Sequence, residues 1–184
     1  LLYACHDDKS YNGGDVNMPF KHALSWVTFI LSSADKDVFK VQSIVVEKAA
    51  KTANADLTTE SATWSPETYD SFTFFGGKGV AEKTIGSEAE ISNADNCGLV
   101  IPIDLKDDVV LKINYTMEYG AGNPQDQVFT KVLNKCLSGA NAINKWEAGK
   151  HYTYKLNFGR EEIRIAPTVE DWVTKDINDI DLSK

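Results

Sequence analysis

Apolar and polar residues alternate with a period of two through several stretches of this chain, the repeat that turns one face of a β-strand to a core and the other to water. The pattern is clearest in 146–172, WEAGKHYTYKLNFGREEIRIAPTVEDW, which predicts one β-hairpin framed by Trp146 and Trp172. Tyr152, Tyr154, Leu156 and Phe158 alternate with His151, Thr153, Lys155 and Asn157. Gly159 punctuates the ribbon, Ile163 and Ile165 resume the alternation against Glu162 and Arg164, and Pro167 stops it. Val109, Leu111, Ile113, Tyr115, Met117 and Tyr119 form an equally plain strand against Lys112, Asn114, Thr116 and Glu118.

Elsewhere the pattern is less regular. Met18 to Leu31 starts on Phe20, His22 and Leu24 and continues on Val27, Phe29 and Leu31, one position out of phase, which predicts a β-bulge near Ser25. A turn (SSADKD) leads to a second β-rich run, Val38 to Glu47. The interval Ala49 to Ser71, rich in Thr, Ala and Asp, reads mostly as loop, with Trp64 before Pro66 as its large apolar anchor. Phe72, Phe74 and Phe75 mark a short strand ended by Gly76, Gly77 and Gly79. Leu99 to Ile103 (LVIPI) reads as a strand buried on both faces, or one placed where Pro102 gives up its donor. In Val128 to Leu137, Val128, Phe129, Val132, Leu133, Cys136 and Leu137 suit a helix as readily as a strand; the position between two strong strands favours a strand.

Seven or eight strands without a long helical repeat predict an all-β antiparallel sandwich. Residues 1–17, polar from Cys5 onward with a Gly-Gly pair, read as a linker or lead-in, 18–172 as the β-sandwich domain and 173–184 as a C-terminal tail. At 184 residues, 42% of them apolar, the chain can bury roughly 70% of its unfolded surface without a disulfide or metal staple. The net charge of -8 includes only two arginines, Arg160 and Arg164, and no lysine cluster, so no nucleic-acid partner is expected. No apolar run approaches a membrane span.

Together, LLYA, VNMPFKHALSWVTFIL, VVLKINYTMEY, WEAGKHYTYKLNFG and IRIAPTVEDW resemble the fimbrillin-like proteins of Bacteroidetes, the type V pilin superfamily, from about Leu1 to Trp172. The most specific parts are the HALS-type strand, the W-x-x-G-K-x-Y-x-Y block and the closing V-E-D-W. The resemblance implies a transthyretin-like Greek-key sandwich, here as a C-terminal domain whose N-terminal partner domain lies upstream; the start at Leu1, not Met, accords with that. It also implies a stalk, tip or anchor subunit of surface fimbriae, exported as a lipoprotein to the outer membrane and polymerised after an arginine-specific protease removes an N-terminal strand. Arg160 and Arg164 are far from Leu1, so such a cleavage site belongs upstream. Partners are then other subunits joined by β-strand addition. Ile177, Ile180 and Leu182, in the tail VTKDINDIDLSK, are the candidate donor-strand residues.

Catalysis finds no support, because GxSxG, P-loop, HExxH and kinase-type motifs are all absent, and no cofactor is expected. His6, His22 and His151 are scattered and read as structural. Cys5, Cys97 and Cys136, odd in number and far apart, read as incidental thiols. Cys5 ahead of Asp7 and Asp8 has a superficial lipoprotein-box form, which Tyr3 fits poorly. Asp104, Asp107 and Asp108, like Asp176, Asn178, Asp179 and Asp181, carry oxygen ligands for calcium, but the second group lacks the loop spacing and both read as solvated turns. The Asn114-Tyr115-Thr116 sequon lies inside a strand. Trp26, Trp64, Trp146 and Trp172 have aromatic faces of the kind that stack on pyranose rings, but read as core or rim packing residues with each indole N–H on backbone. Trp64, placed in a loop, is the candidate ligand contact for the alternative reading, a monomeric surface module binding a glycan or host protein.

Overall fold

The computed structural model describes residues 1–5, 19–33, 38–77, 80–85, 89–91, 98–118, 122–136, 142–159 and 161–172. In the first of two main sheets, β4 (Val38–Asp56) lies between β10 (Val110–Glu118) and β5 (Thr63–Phe75), with β11 (Gln125–Val132) outside β10 and β6 (Lys83–Ile85) also pairing with β4. In the second, β3 (Ser25–Ser33) pairs with β13 (Lys150–Phe158), β14 (Ile163–Asp171) lies outside β13, and β7 (Ala89–Ile91) and β8 (Leu99–Val100) flank β3. Two short pairs complete the set: β1 (Leu2–Tyr3) with β2 (Lys21–His22), and β9 (Ile103–Asp104) with β12 (Lys145–Trp146). Every pairing is antiparallel except β3 with β13.

The alternation seen in the sequence is what joins the layers. Tyr152, Tyr154, Leu156 and Phe158 of β13 point into one core with Val27, Phe29 and Leu31 of β3, Phe39, Val41 and Ile44 of β4, and Leu111 and Ile113 of β10. Aromatic rings span the interface: Phe29 meets Phe74 edge-on at 4.9 Å, and Phe158 packs on Phe39 at 5.6 Å and on Tyr115 at 5.4 Å. Burying each such side chain contributes roughly 1.5–3 kcal/mol before its entropy loss. The antiparallel β-sandwich is therefore as expected, although the described residues divide into fourteen strand segments, several only two or three residues long.

Four local expectations are corrected. The change of phase before Ser25 is no bulge: the chain breaks at Ala23–Leu24, leaving β2 for a pair with β1 and β3 for the second sheet. LVIPI splits at Ile101–Pro102 into β8 and β9, which pair with different elements. In 128–137 the strand ends at Val132 and a 3-10 turn (Leu133–Lys135) follows, which explains why both periods fit. The largest correction concerns 49–71: 49–56 and 63–71 continue β4 and β5 as one long ribbon, and Trp64 sits on a strand.

That ribbon is irregular. Register shifts fall between Val46 and Ala49, Ala50 and Thr52, and Thr52 and Ala53, and Lys48 adopts φ 64°. Bulges bend a strand and raise its twist. Cross-strand polar pairs hold the ribbon: Lys51 Nζ to Asp70 Oδ2 at 2.7 Å, Thr52 Oγ1 with Thr68 Oγ1 at 2.7 Å, and Asn54 Nδ2 to Glu67 Oε1 at 2.7 Å. Its tip reaches the β1–β2 pair, where Tyr3 Oη donates to Glu60 O and accepts from Ala62 N, and Lys21 Nζ donates to Glu60 O.

Candidate functional site

Beneath the ribbon lies a recess of about 540 Å³. One wall is β5, through Trp64, Pro66 and Tyr69. Strict alternation would put residues 66 and 69 on opposite faces. The pairing runs from Ala53↔Pro66 directly to Thr52↔Thr68, leaving Glu67 as an extra residue, so Tyr69 returns to the side of Trp64 and Pro66. Trp64 Nε1 donates to Ala23 O at 2.7 Å, which fixes the indole at partial exposure; Tyr69 is 49% exposed.

The lining is completed by Asp104, Lys106 and Asp108, by Lys145 and Glu147, and by the buried Trp146. Lys145 Nζ lies 2.6 Å from Glu147 Oε1, and this hydrogen bond, then the attraction of Glu147, raises its pKa. Lys48, Lys106, Asp104 and Asp108 have no side-chain hydrogen bond or ion pair among the described residues. A second recess of about 420 Å³ abuts the first, sharing Ala62, Glu147 and Ala148 with it. It is bordered by Phe20, 60% exposed, and by His22 stacked on Trp172 at 3.4 Å.

The other candidates are placed as follows. His151 stacks on Trp26 at 3.9 Å, and its ring nitrogens lie 3.0 Å from Glu170 Oε1 and 3.0 Å from Thr28 Oγ1, a packing role. Trp146 Nε1 bonds to the Tyr154 hydroxyl and not to backbone, which corrects that expectation. Asp107 is held by Asn134 Nδ2 at 2.9 Å and Lys135 Nζ at 3.1 Å, which keep its carboxyl below the usual range. No three His, Cys, Asp or Glu side chains among the described residues gather as a metal site. Cys5 and Cys136 are free thiols, and burial pushes Cys136 up to about 11. Ile177, Ile180 and Leu182, with His6, Cys97 and the second acidic group, lie outside the described residues.

Among the described residues the outer strands are β5 and β11 in the first sheet and β14 and the three-residue β7 in the second. Pro66 lies within β5 and Pro167 within β14, which runs on through Pro167 to Asp171 instead of stopping there as expected; each proline leaves its outer strand one backbone donor fewer. β11 (QDQVFTKV) contains no proline, and its Val128 is 60% exposed.

Of the residues lining the recess, the sequence singled out Trp64, Trp146, Asp104 and Asp108 but not Lys48, Tyr69, Lys106 or Lys145. Trp64 and Tyr69 are five apart, a spacing that signals a shared face only once the Glu67 bulge is known.

Residues 1–172 match the family model described as fimbrillin-like. Among solved structures, a candidate cell adhesion protein from Parabacteroides distasonis aligns with a TM-score of 0.53 at 13% identity, covering 83% of this chain and 53% of that one. A candidate cell adhesion protein from Bacteroides uniformis gives 0.49 at 18% identity, with 86% and 54% covered, and a fimbrial protein from Bacteroides vulgatus gives 0.44 at 16%, with 85% and 56% covered. At 13% identity the likeness to the Parabacteroides distasonis protein is one of fold alone, and this chain spans about half the length of each of the three proteins. No curated protein matches the sequence.

Proposed function

This chain belongs to the fimbrillin-like family, and from that premise we propose that it is a structural or adhesive subunit of bacterial cell-surface fimbriae that assembles by strand addition between subunits. The observation that carries the reading is β11, an outer strand with no proline and an exposed Val128. An unpaired edge leaves a row of backbone donors and acceptors, and a strand from a neighbour satisfies them while its alternate side chains fill pockets. The tail Val173 to Lys184 is the proposed donor, with Ile177, Ile180 and Leu182 as its apolar residues.

The descriptions of the similar structures, cell adhesion and fimbrial, support this role and a position at the cell surface. Export as a lipoprotein to the outer membrane is part of the same proposal; no helix among the described residues is long and apolar enough to cross a membrane. A scaffold of this kind acts by pairing and packing, and we assign it no catalytic role.

Electron microscopy of the full precursor, with and without deletion of 173–184, tests the proposal. Deletion should abolish polymers, and Val128→Lys, which places a charge on the edge, should shorten them. Polymers of normal length from the deleted precursor would exclude the tail as donor, and normal polymers from Val128→Lys would exclude β11 as acceptor.

A further inference from the structure

We propose that the trough beneath the β4–β5 ribbon is a carbohydrate site that takes a neutral, pyranose-containing oligosaccharide. This inference is independent of strand addition and would place a ligand site on the same subunit.

Trp64 and Tyr69 supply the stacking surface. The negative π face of an aromatic ring attracts the weakly positive C–H groups on the apolar face of a pyranose. Trp64 is held in advance by its bond to Ala23 O, so its ring needs no ordering on binding, and the Glu67 bulge brings Tyr69 to the same side.

The polar groups complete the match. Sugar hydroxyls both donate and accept; Asp104 and Asp108 accept only, Lys48 and Lys106 donate only, and none of the four is held in a side-chain hydrogen bond or close ion pair among the described residues, although Asp104 is near enough to Lys145 to help raise its pKa. Three lysines face three carboxylates around the recess, and Lys145 is already paired with Glu147. That balance disfavours a phosphate-rich or polyanionic ligand, which needs unopposed cations. Charge on both sides equally disfavours a purely apolar ligand. The volume of about 540 Å³ falls in the range of small-ligand sites, and the abutting recess offers a continuation at Phe20 for a further sugar unit.

Binding of the purified chain to an array of printed neutral, sialylated and uronate-containing oligosaccharides, followed by calorimetry on the best probe, tests the assignment. Saturable binding to neutral members is expected. Tyr69→Ala, which removes a half-exposed ring whose hydroxyl has no hydrogen bond among the described residues, should weaken it by on the order of tenfold, the size of one aromatic contact. Asp108→Asn should also weaken it, whereas Glu161→Ala, at an exposed position ahead of β14 and outside both recesses, should leave it unchanged. Trp64→Phe, which keeps a ring face, should bind better than Trp64→Ala, with near-UV circular dichroism checking that each variant is folded. Silence across the array, preference for acidic members alone, or equal binding by wild type, Tyr69→Ala and Asp108→Asn would overturn the proposal, and none of these results bears on polymer formation.

Discussion

Trp146 Nε1 donates to the Tyr154 hydroxyl at 3.0 Å, with both side chains almost wholly buried. Nearby, Glu147 N donates to the Tyr152 hydroxyl at 2.8 Å, and Gly149 takes φ 70° between them. The W-x-x-G-K-x-Y-x-Y block is thus a fastening device. Two tyrosines on the core face of β13 accept N–H groups from the segment that leads into the strand.

Tyr154→Phe should therefore destabilise the protein although it removes a single oxygen. It strands a buried indole N–H, at a cost of about 1–3 kcal/mol. For a chain of this size that lowers Tm by about 2–4 °C for each kcal/mol. Thermal unfolding followed by near-UV circular dichroism measures it; an unchanged Tm would mean the bond contributes nothing.

Gly76 and Gly77 both have positive φ, 91° and 108°, but differ in surroundings. A Cβ on Gly76 would collide with the Gln42 carbonyl oxygen and sit 2.7 Å from Ser43 Cα, whereas one on Gly77 meets nothing within 4 Å. Gly77→Ala should cost about 1–3 kcal/mol through backbone strain alone. Gly76→Ala should cost clearly more, because β4 must also move away. Equal urea midpoints for the two variants would contradict this.

Lys48 is the reverse case, a non-glycine at φ 64° in a bulge of β4. The left-handed conformation costs an L-residue roughly 1–2 kcal/mol, and glycine gives back about 0.5–1 kcal/mol of that in chain entropy. Lys48→Gly should raise the urea midpoint slightly with an unchanged slope. A fall in the midpoint would show that the lysine side chain stabilises the ribbon by more than its backbone strains it.

Alkaline pH should weaken the fold. Burial raises the Cys136 thiol from 9.0 to about 11 and the Tyr152 phenol from 10.0 to about 12, and it raises Tyr154 as well. Each group is easier to ionise in the unfolded chain, so its contribution is complete below its unfolded pKa and is lost as pH climbs through the folded one. The urea midpoint should decline as pH rises, between pH 9.0 and about 11 through Cys136 and between pH 10.0 and about 12 through Tyr152. Cys136→Ala should remove the earlier part of the decline; a midpoint still falling from the same pH in that variant would rule the thiol out.

The sandwich was legible because its core strands are long and alternate cleanly. Tyr152 to Phe158 and Val109 to Ile113 need no partner to announce which face they bury. The arm at 49–71 was not legible, since its Thr, Ala and Asp carry no apolar period and most of the ribbon beyond the buried Ala49 and Ala50 is exposed. Cross-strand pairs such as Lys51–Asp70 and Thr52–Thr68, invisible in one dimension, hold it as strand.

The order of residues alone thus determined the β class, the β13–β14 hairpin and the residues of the core, because burial of alternate side chains is a local pattern. Only the tertiary structure decided that Trp64, Tyr69, Lys48 and Lys106 border one trough, that β3 and β13 run parallel, and that β11 pairs with β10 alone among the described strands. Those outcomes depend on bulges, register and the choice of neighbour, which arise from contacts between segments far apart in the chain and leave no periodic mark in any one of them.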